Sequence, residues 1–282
     1  MKALPFKLPF LKKRKKTLAA VRLQGVIQSK GRAALSLSNV AGPLDQAFKK
    51  GDAVALVINS PGGSPAQSQL IHDFVRDRAE HHKKPVHVFV EDVAASGGYW
   101  LALAGDDIAG LPTSIIGSIG VISAGFGFVE ALGKLGIERR TTTAGENKIR
   151  LDPFAPLKPE DVAWQKTLQT DLHKIFIETV QKRRSEQGTT LPEDGPLFTG
   201  DVWLGQAAKE NGLIDRIDSL TAFARREDYK LRPFGGRRRS WLSGLVGLDA
   251  ETRTQSWIDP EAALDALETR LEDRIRRQAL GQ

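Results

Sequence analysis

Apolar and polar residues fall into short alternating blocks along the chain. Thr17 to Gln28 reads as an extended apolar strand, and Asn39 to Lys50 as a helix. Ala53 to Asn59 is an unbroken apolar run, the pattern of a strand buried on both faces. It ends at Ser60-Pro61-Gly62-Gly63. Ser64 then supplies an N-cap, Pro65 fits the first helical turn, and Gln67 completes the spacing of a capping box. Leu70, Ile71, Phe74 and Val75 give this second helix its apolar face.

The unit then repeats. Val86 to Val90 reads as a strand, Ala94 to Gly98 as a glycine turn, and Tyr99 to Ala104 as the start of a helix. Two strand–turn–helix units in succession predict a parallel sheet with crossover helices. Asp107 to Leu111 and Ile115 to Ser123 read as further strands, Val129 to Leu135 as a helix and Ile137 to Thr143 as a strand. Pro159 to Arg184 is a long helix, with Trp164, Leu168, Leu172, Ile175, Phe176 and Val180 at helical spacing. Gln206 to Asn211 and Leu220 to Arg226 are shorter ones. The composition shifts at Lys230, and Gly235 to Arg239 reads as a linker. Pro260 to Leu280 is a charged amphipathic helix with Leu264, Leu267, Leu271 and Ile275 on one stripe.

The 282 residues suffice for one large or two small domains, and 40% hydrophobic with 27% charged residues is an ordinary globular mix. The chain has no cysteine, so disulfides, thiolate metal sites and cysteine nucleophiles are excluded. The net charge of +7 equals the seven Lys and Arg residues of positions 1–16, an arm without acids. The remaining residues balance, which gives no support to a nucleic-acid groove in the body. The arm interleaves Phe6, Leu8, Phe10 and Leu11 with its basic residues. It is too short and broken to be a spanning helix, and suits either an anionic membrane surface or a solvated tail. No metal or cofactor is expected.

Ligands in an open parallel sheet gather at the carboxyl ends of the strands. Both glycine turns lie there and each opens a helix, whose unpaired N–H groups suit a developing oxyanion. Gly62, Gly63 and Gly97 let backbone amides approach a carbonyl, and Ser96 is a candidate nucleophile. On turn geometry alone, Ser96 reads equally as a helix N-cap. Histidine is poorly placed to serve as its base. Lysine serves that role when desolvation brings its pKa to roughly 7–8, and Lys148 lies at a strand end before Pro153-Phe154.

Five ordered motifs resemble signal peptide peptidase A and its relatives in the S49 serine peptidase family. They are Asn59-Ser-Pro-Gly-Gly63, Ala94-Ala-Ser-Gly-Gly-Tyr-Trp100, Gly117-Ser-Ile-Gly-Val121, Gly145-Glu-Asn-Lys148 with Pro153-Phe154, and Phe198-Thr-Gly-Asp-Val-Trp203 with Gly212-Leu-Ile-Asp215. The resemblance implies an α/β fold, a crotonase/Clp-like repeated ββα superhelix with a mainly parallel sheet and flanking helices. It implies Ser96 as nucleophile, Lys148 as general base, Ser118 orienting the lysine, and Gly63 and Gly97 as oxyanion-hole amides. Peptides are the expected substrates. A ring or octamer that shares the dyad between subunits is the expected assembly. Residues 17–234 form the expected peptidase domain, between the arm of residues 1–16 and a linker and helix over 235–282. Membrane-bound members carry an N-terminal anchor where this chain shows the basic arm, so a cytoplasmic or peripheral inner-membrane location is expected. The alternatives are a crotonase-type acyl-CoA enzyme using the same two amides, and a non-catalytic ring scaffold.

Overall fold

The computed structural model describes residues 14–31, 34–192 and 196–235. The chain divides into two compact units, Met1–Gly236 and Arg237–Gln282, and the described residues lie in the first. Residues 1–13 of the arm and the expected helix from Pro260 to Leu280 lie outside the described residues.

The elements in chain order are β1 (Thr17–Gln24), α1 (Leu37–Lys50), β2 (Ala53–Ser60), α2 (Pro65–His82), β3 (Val86–Ala95), α3 (Gly97–Ala102), β4 (Asp107–Gly110), β5 (Ile115–Gly117), α4 (Val129–Lys134), α5 (Pro159–Glu186), β6 (Val202–Leu204), α6 (Gly205–Glu210), β7 (Arg216–Ile217), α7 (Leu220–Arg226) and β8 (Lys230–Phe234). One sheet runs β6-β5-β3-β2-β1-β8, with β4 also on β3 and β7 on β4. Every pairing is parallel except β5 with β6. The architecture is thus the mainly parallel α/β sheet that the two glycine-turn units predict.

β2 is buried along nearly its whole length, as its unbroken apolar run demands. Helices α1 and α2 cover one face of the sheet through Leu44, Phe48, Ile71 and Val75, in one core with Leu56, Ile58 and Val88. The other face packs Leu18, Ala55 and Phe89 under Phe223 and Ala224 of α7. Burying a side chain such as Phe48 stabilises the fold by about 1.5–3 kcal/mol, as an upper estimate.

Several expectations are corrected. The capping box at α2 forms only by half. Ser64 Oγ accepts from Gln67 N at 3.4 Å, but Gln67 Oε1 accepts from Leu37 N at 3.0 Å and so caps α1 instead. The strand expected over Ile115–Ser123 stops at Gly117, and no strand forms over Ile137–Thr143. From residue 121 to 160 no residue is buried, so Ile137–Thr143, with a single apolar residue, has no core to pack against. Lys230, where the composition shifts, begins edge strand β8, which pairs with β1.

The long helix α5 holds its expected length, but its apolar stripe is covered only at one end. Phe176 and Val180 are buried, whereas Trp164, Leu168 and Ile175 are exposed. One turn beyond Val180, the fully buried Arg184 pairs with Asp215 at 2.7 Å and donates to Gly212 O at 2.7 Å.

Candidate active site

The site forms where β2, β3 and β5 end. After β2 the chain turns through Gly62 and Gly63, at φ of 102° and 140°, a region open to glycine. A Cβ on Gly63 would stand 2.1 Å from Ile27 O, so only glycine fits. Gly62 O accepts from Ile27 N at 2.8 Å, and Ser64 N donates to Ile27 O at 2.7 Å. The peptide between Gly62 and Gly63 is trans, so the Gly63 N–H points away from Ile27. It has no backbone acceptor among the described residues.

After β3 the chain turns at Ser96, whose φ of 52° and ψ of −122° are unusual for a residue with a side chain. Such a conformation costs about 1–3 kcal/mol and is held by the surroundings. Here Ser96 N donates to Gly117 O at 2.8 Å. Ser96 occupies the N-cap position of α3 without a side-chain capping bond, so its hydroxyl is not spent on the helix. Gly97 opens the helix with its own N–H also lacking a backbone acceptor among the described residues. A Cβ on Gly97 would lie 3.4 Å from Gly63 N, which places the two residues side by side. A Cβ there would also meet Ser68 Oγ at 2.4 Å.

β5 leads into Ser118, again at positive φ (53°), with Ser118 N donating to Asp201 O at 2.6 Å. Gly63, Ser96, Gly97 and Ser118 line one cavity of about 820 Å³. Its apolar wall comes from Pro61, Trp100, Val121, Ile122, Leu172 and Phe176, and among the described residues no charged one lines it. Trp100 and Phe176 stack with centroids 4.8 Å apart. The indole Nε1 of Trp100 is buried without an acceptor among the described residues.

Of the expected site residues, Ser96, Ser118, Gly63 and Gly97 meet at this cavity and Lys148 does not. Lys148 lies in the exposed turn segment after Gly145, and its backbone N donates to Gly145 O at 3.2 Å. No histidine lines the cavity. His72 is buried beside Asp73, and burial holds its pKa below the ordinary value despite that carboxylate. His87 pairs with Asp107 at 2.7 Å. His173 Nε2 lies 3.0 Å from Ile119 O, next to the Ser118 turn.

Sequence reasoning missed the wall formed by Leu172 and Phe176. Helical spacing marks an apolar stripe but does not tell a core stripe from a cavity wall. Among the described residues no group of His, Asp and Glu has a metal-binding arrangement, and no helix is long and apolar enough to cross a membrane.

A family model described as peptidase family S49 matches residues 78–230, just over half of the chain. A Brucella melitensis protein named Na(+)/H(+) antiporter NhaA is 51% identical over 214 residues, covering 74% of this chain and 29% of that protein. The chloroplastic serine protease SPPA of Arabidopsis thaliana is 33% identical over 174 residues, 61% of this chain and 25% of its own length. Protease 4 of Haemophilus influenzae is 35% identical over 170 residues, 60% of this chain and 26% of its own length. The chain therefore spans less than a third of each of these relatives.

Proposed function

The chain belongs to peptidase family S49, and from that premise we propose that it is a serine endopeptidase acting on unfolded or membrane-derived peptides. One observation carries the reading. A serine hydroxyl unspent on a helix cap and two unspent N–H groups meet at one uncharged cavity.

In the proposed reaction Ser96 Oγ bonds to the scissile carbonyl carbon while Lys148 Nζ takes its proton. The carbonyl oxygen becomes an oxyanion held by Gly63 N–H and Gly97 N–H. The C–N bond then breaks, and Lys148 returns the proton to the departing amine. Water, deprotonated by the same lysine, hydrolyses the acyl ester on Ser96. Ser118 Oγ orients the lysine. The apolar wall favours apolar substrate side chains.

We propose further that Lys148 reaches Ser96 from a neighbouring copy in a closed ring, octameric by family resemblance. The segment carrying Lys148 supports this. It holds no buried residue, yet Ile122, Phe126 and Leu135 are 87%, 82% and 71% exposed. A second copy covering that surface would bury apolar area and bring the lysine along. In the same reading the basic arm holds the assembly peripherally on anionic membranes.

The test unfolds and co-assembles Ser96→Ala chains with Lys148→Ala chains. Each variant alone should be inactive. Equal mixing in a ring that shares its sites should restore about a quarter of the peptidase activity, one half times one half. Mixed assemblies that form and stay inactive would remove the sharing. Near-normal turnover by Lys148→Ala alone would remove the lysine from the mechanism. A covalent serine probe that fails to label Ser96 would remove the peptidase reading.

A further inference from the structure

The strands β3, β2, β1 and β8 run parallel, so their amino ends lie at one end of the sheet, away from the cavity. Backbone bonds tie these starts into a row. Val54 N donates to Pro85 O at 2.9 Å, Asp52 N to Thr17 O at 2.8 Å, and Lys230 N to Lys16 O at 2.8 Å. Adjacent strands lie about 4.8 Å apart. The segments that enter them are therefore neighbours: residues 14–16, 49–52, 80–85 and 225–230.

Those segments are strongly basic. They hold ten Lys and Arg residues against four acids, Asp52, Glu80, Glu227 and Asp228. Some of the cations are committed locally. Lys49 pairs with Asp45, Lys15 with Asp228, and Arg226 with Asp218 and Glu227, while Lys84 donates to Phe48 O at the end of α1. Lys16, Lys50, Lys83, Arg225 and Lys230 are exposed and form no ion pair among the described residues. Compensation of helix dipoles accounts for Lys50 and Arg225, in the last turns of α1 and α7. It accounts also for Lys83, the C-cap of α2, but not for Lys16 and Lys230, which belong to no helix. The chain also enters the sheet at this end, so Arg14, Lys15 and Lys16, the last of the seven basic residues of positions 1–16, lie at the same face.

We propose that this amino-terminal end of the sheet is a docking face for an anionic lipid surface, with the folded body supplying cations beyond those of the arm. Charge alone suits any polyanion. The sequence leading into the face decides for lipid: Phe6, Leu8, Phe10 and Leu11 alternate with Lys7, Lys12 and Lys13. Apolar side chains among cations gain from the boundary between headgroups and acyl chains and gain nothing from a phosphodiester backbone. β2 has eight residues and spans about 26 Å, so the cavity at its far end would stand roughly that far from the lipid.

The test measures sedimentation of the full chain with vesicles of phosphatidylglycerol in phosphatidylcholine, and with phosphatidylcholine alone. Two triple variants carry the same net charge. One is Lys50→Gln, Lys83→Gln and Lys230→Gln on the face. The other is Lys30→Gln, Lys182→Gln and Lys209→Gln, at exposed positions elsewhere. Thermal unfolding checks that both fold. At about fivefold for each basic residue near the surface, the face variant should lose about a hundredfold in partition to anionic vesicles, and the other variant less than tenfold. Equal losses would reduce the effect to net charge and overturn the proposal. Unchanged vesicle binding by the face variant would overturn it too. Weakened binding to a DNA duplex with vesicle binding intact would reassign the face to nucleic acid.

Discussion

The two ends of the same parallel sheet are built on opposite terms. At the carboxyl end, Ser96 and Ser118 accept positive φ, Gly63 and Gly97 keep their N–H groups free of backbone acceptors, and no charge lines the cavity. At the amino end, the segments entering the strands are charged and their backbone groups are largely paired across the sheet. The contrast lies in unspent donors rather than in strain, since Lys83 and Asp228 at the amino end also take positive φ. An end that stabilises a transient oxyanion must hold donors unspent in the resting state, and the surrounding bonds must sustain that cost. An end that only starts strands has no such requirement.

The first way to break the comparison is Gly63→Ala. The added Cβ would meet Ile27 O at 2.1 Å, so the turn must move and carry its amide with it. Loss of one oxyanion donor lowers kcat by about 10²–10³, with KM for a peptide little changed. A variant with wild-type kcat would place the oxyanion elsewhere.

A substitution near the strand starts should act on stability instead. Arg184 is fully buried, while Asp215 keeps 25% of its side chain exposed and accepts from Ile108 N at 2.6 Å at the start of β4. Breaking a buried pair costs about 3–5 kcal/mol, and the partial exposure of Asp215 favours the lower figure. Arg184→Ala should therefore lower the unfolding free energy by that amount, read from the denaturant midpoint and slope. The kcat of the remaining folded enzyme should change little. A stable variant with low kcat would mean that the two ends are coupled.

The smallest expected effect sharpens the picture between the ends. Burial keeps His72 of α2 neutral in the folded chain, with a pKa below the ordinary value of 6.5. The unfolded chain takes up a proton at that ordinary value. Acidification through and below about pH 6.5 therefore favours unfolding, increasingly until the lowered folded pKa is reached. His72→Gln removes the titration, so its melting temperature should fall less than the wild type's between pH 7 and pH 5. Parallel curves would show that His72 contributes nothing to acid sensitivity.

Local pattern and tertiary contact contribute differently to what can be read in advance. The apolar run of Ala53–Asn59 and the Ser64-Pro65 start marked β2 and α2 because burial on both faces and helix capping leave local signatures. At α7 the structure adds a cap not read from the sequence, Ser219 Oγ accepting from Ala222 N at 3.3 Å. Strands β6 and β7 have three and two residues and exist only through their partners β5 and β4. Ile137–Thr143 shows the converse, a segment with β-branched residues but only one apolar side chain, which remains outside the sheet because it has no face to bury.

The sequence by itself determined the parallel α/β sheet, the two glycine turns that open helices at strand ends, and the choice of Ser96, Gly63 and Gly97 as candidate site residues, while Ser118 came only from the family resemblance. Those features rest on short-range physics: apolar periodicity, capping, and φ values that only glycine readily adopts. Only the tertiary structure decided that these four residues face one uncharged cavity, that Gln67 caps α1 rather than its own helix, and that Lys148 lies outside the cavity. Each of these depends on which distant segments the packed core brings together. No local pattern along the chain encodes those distances.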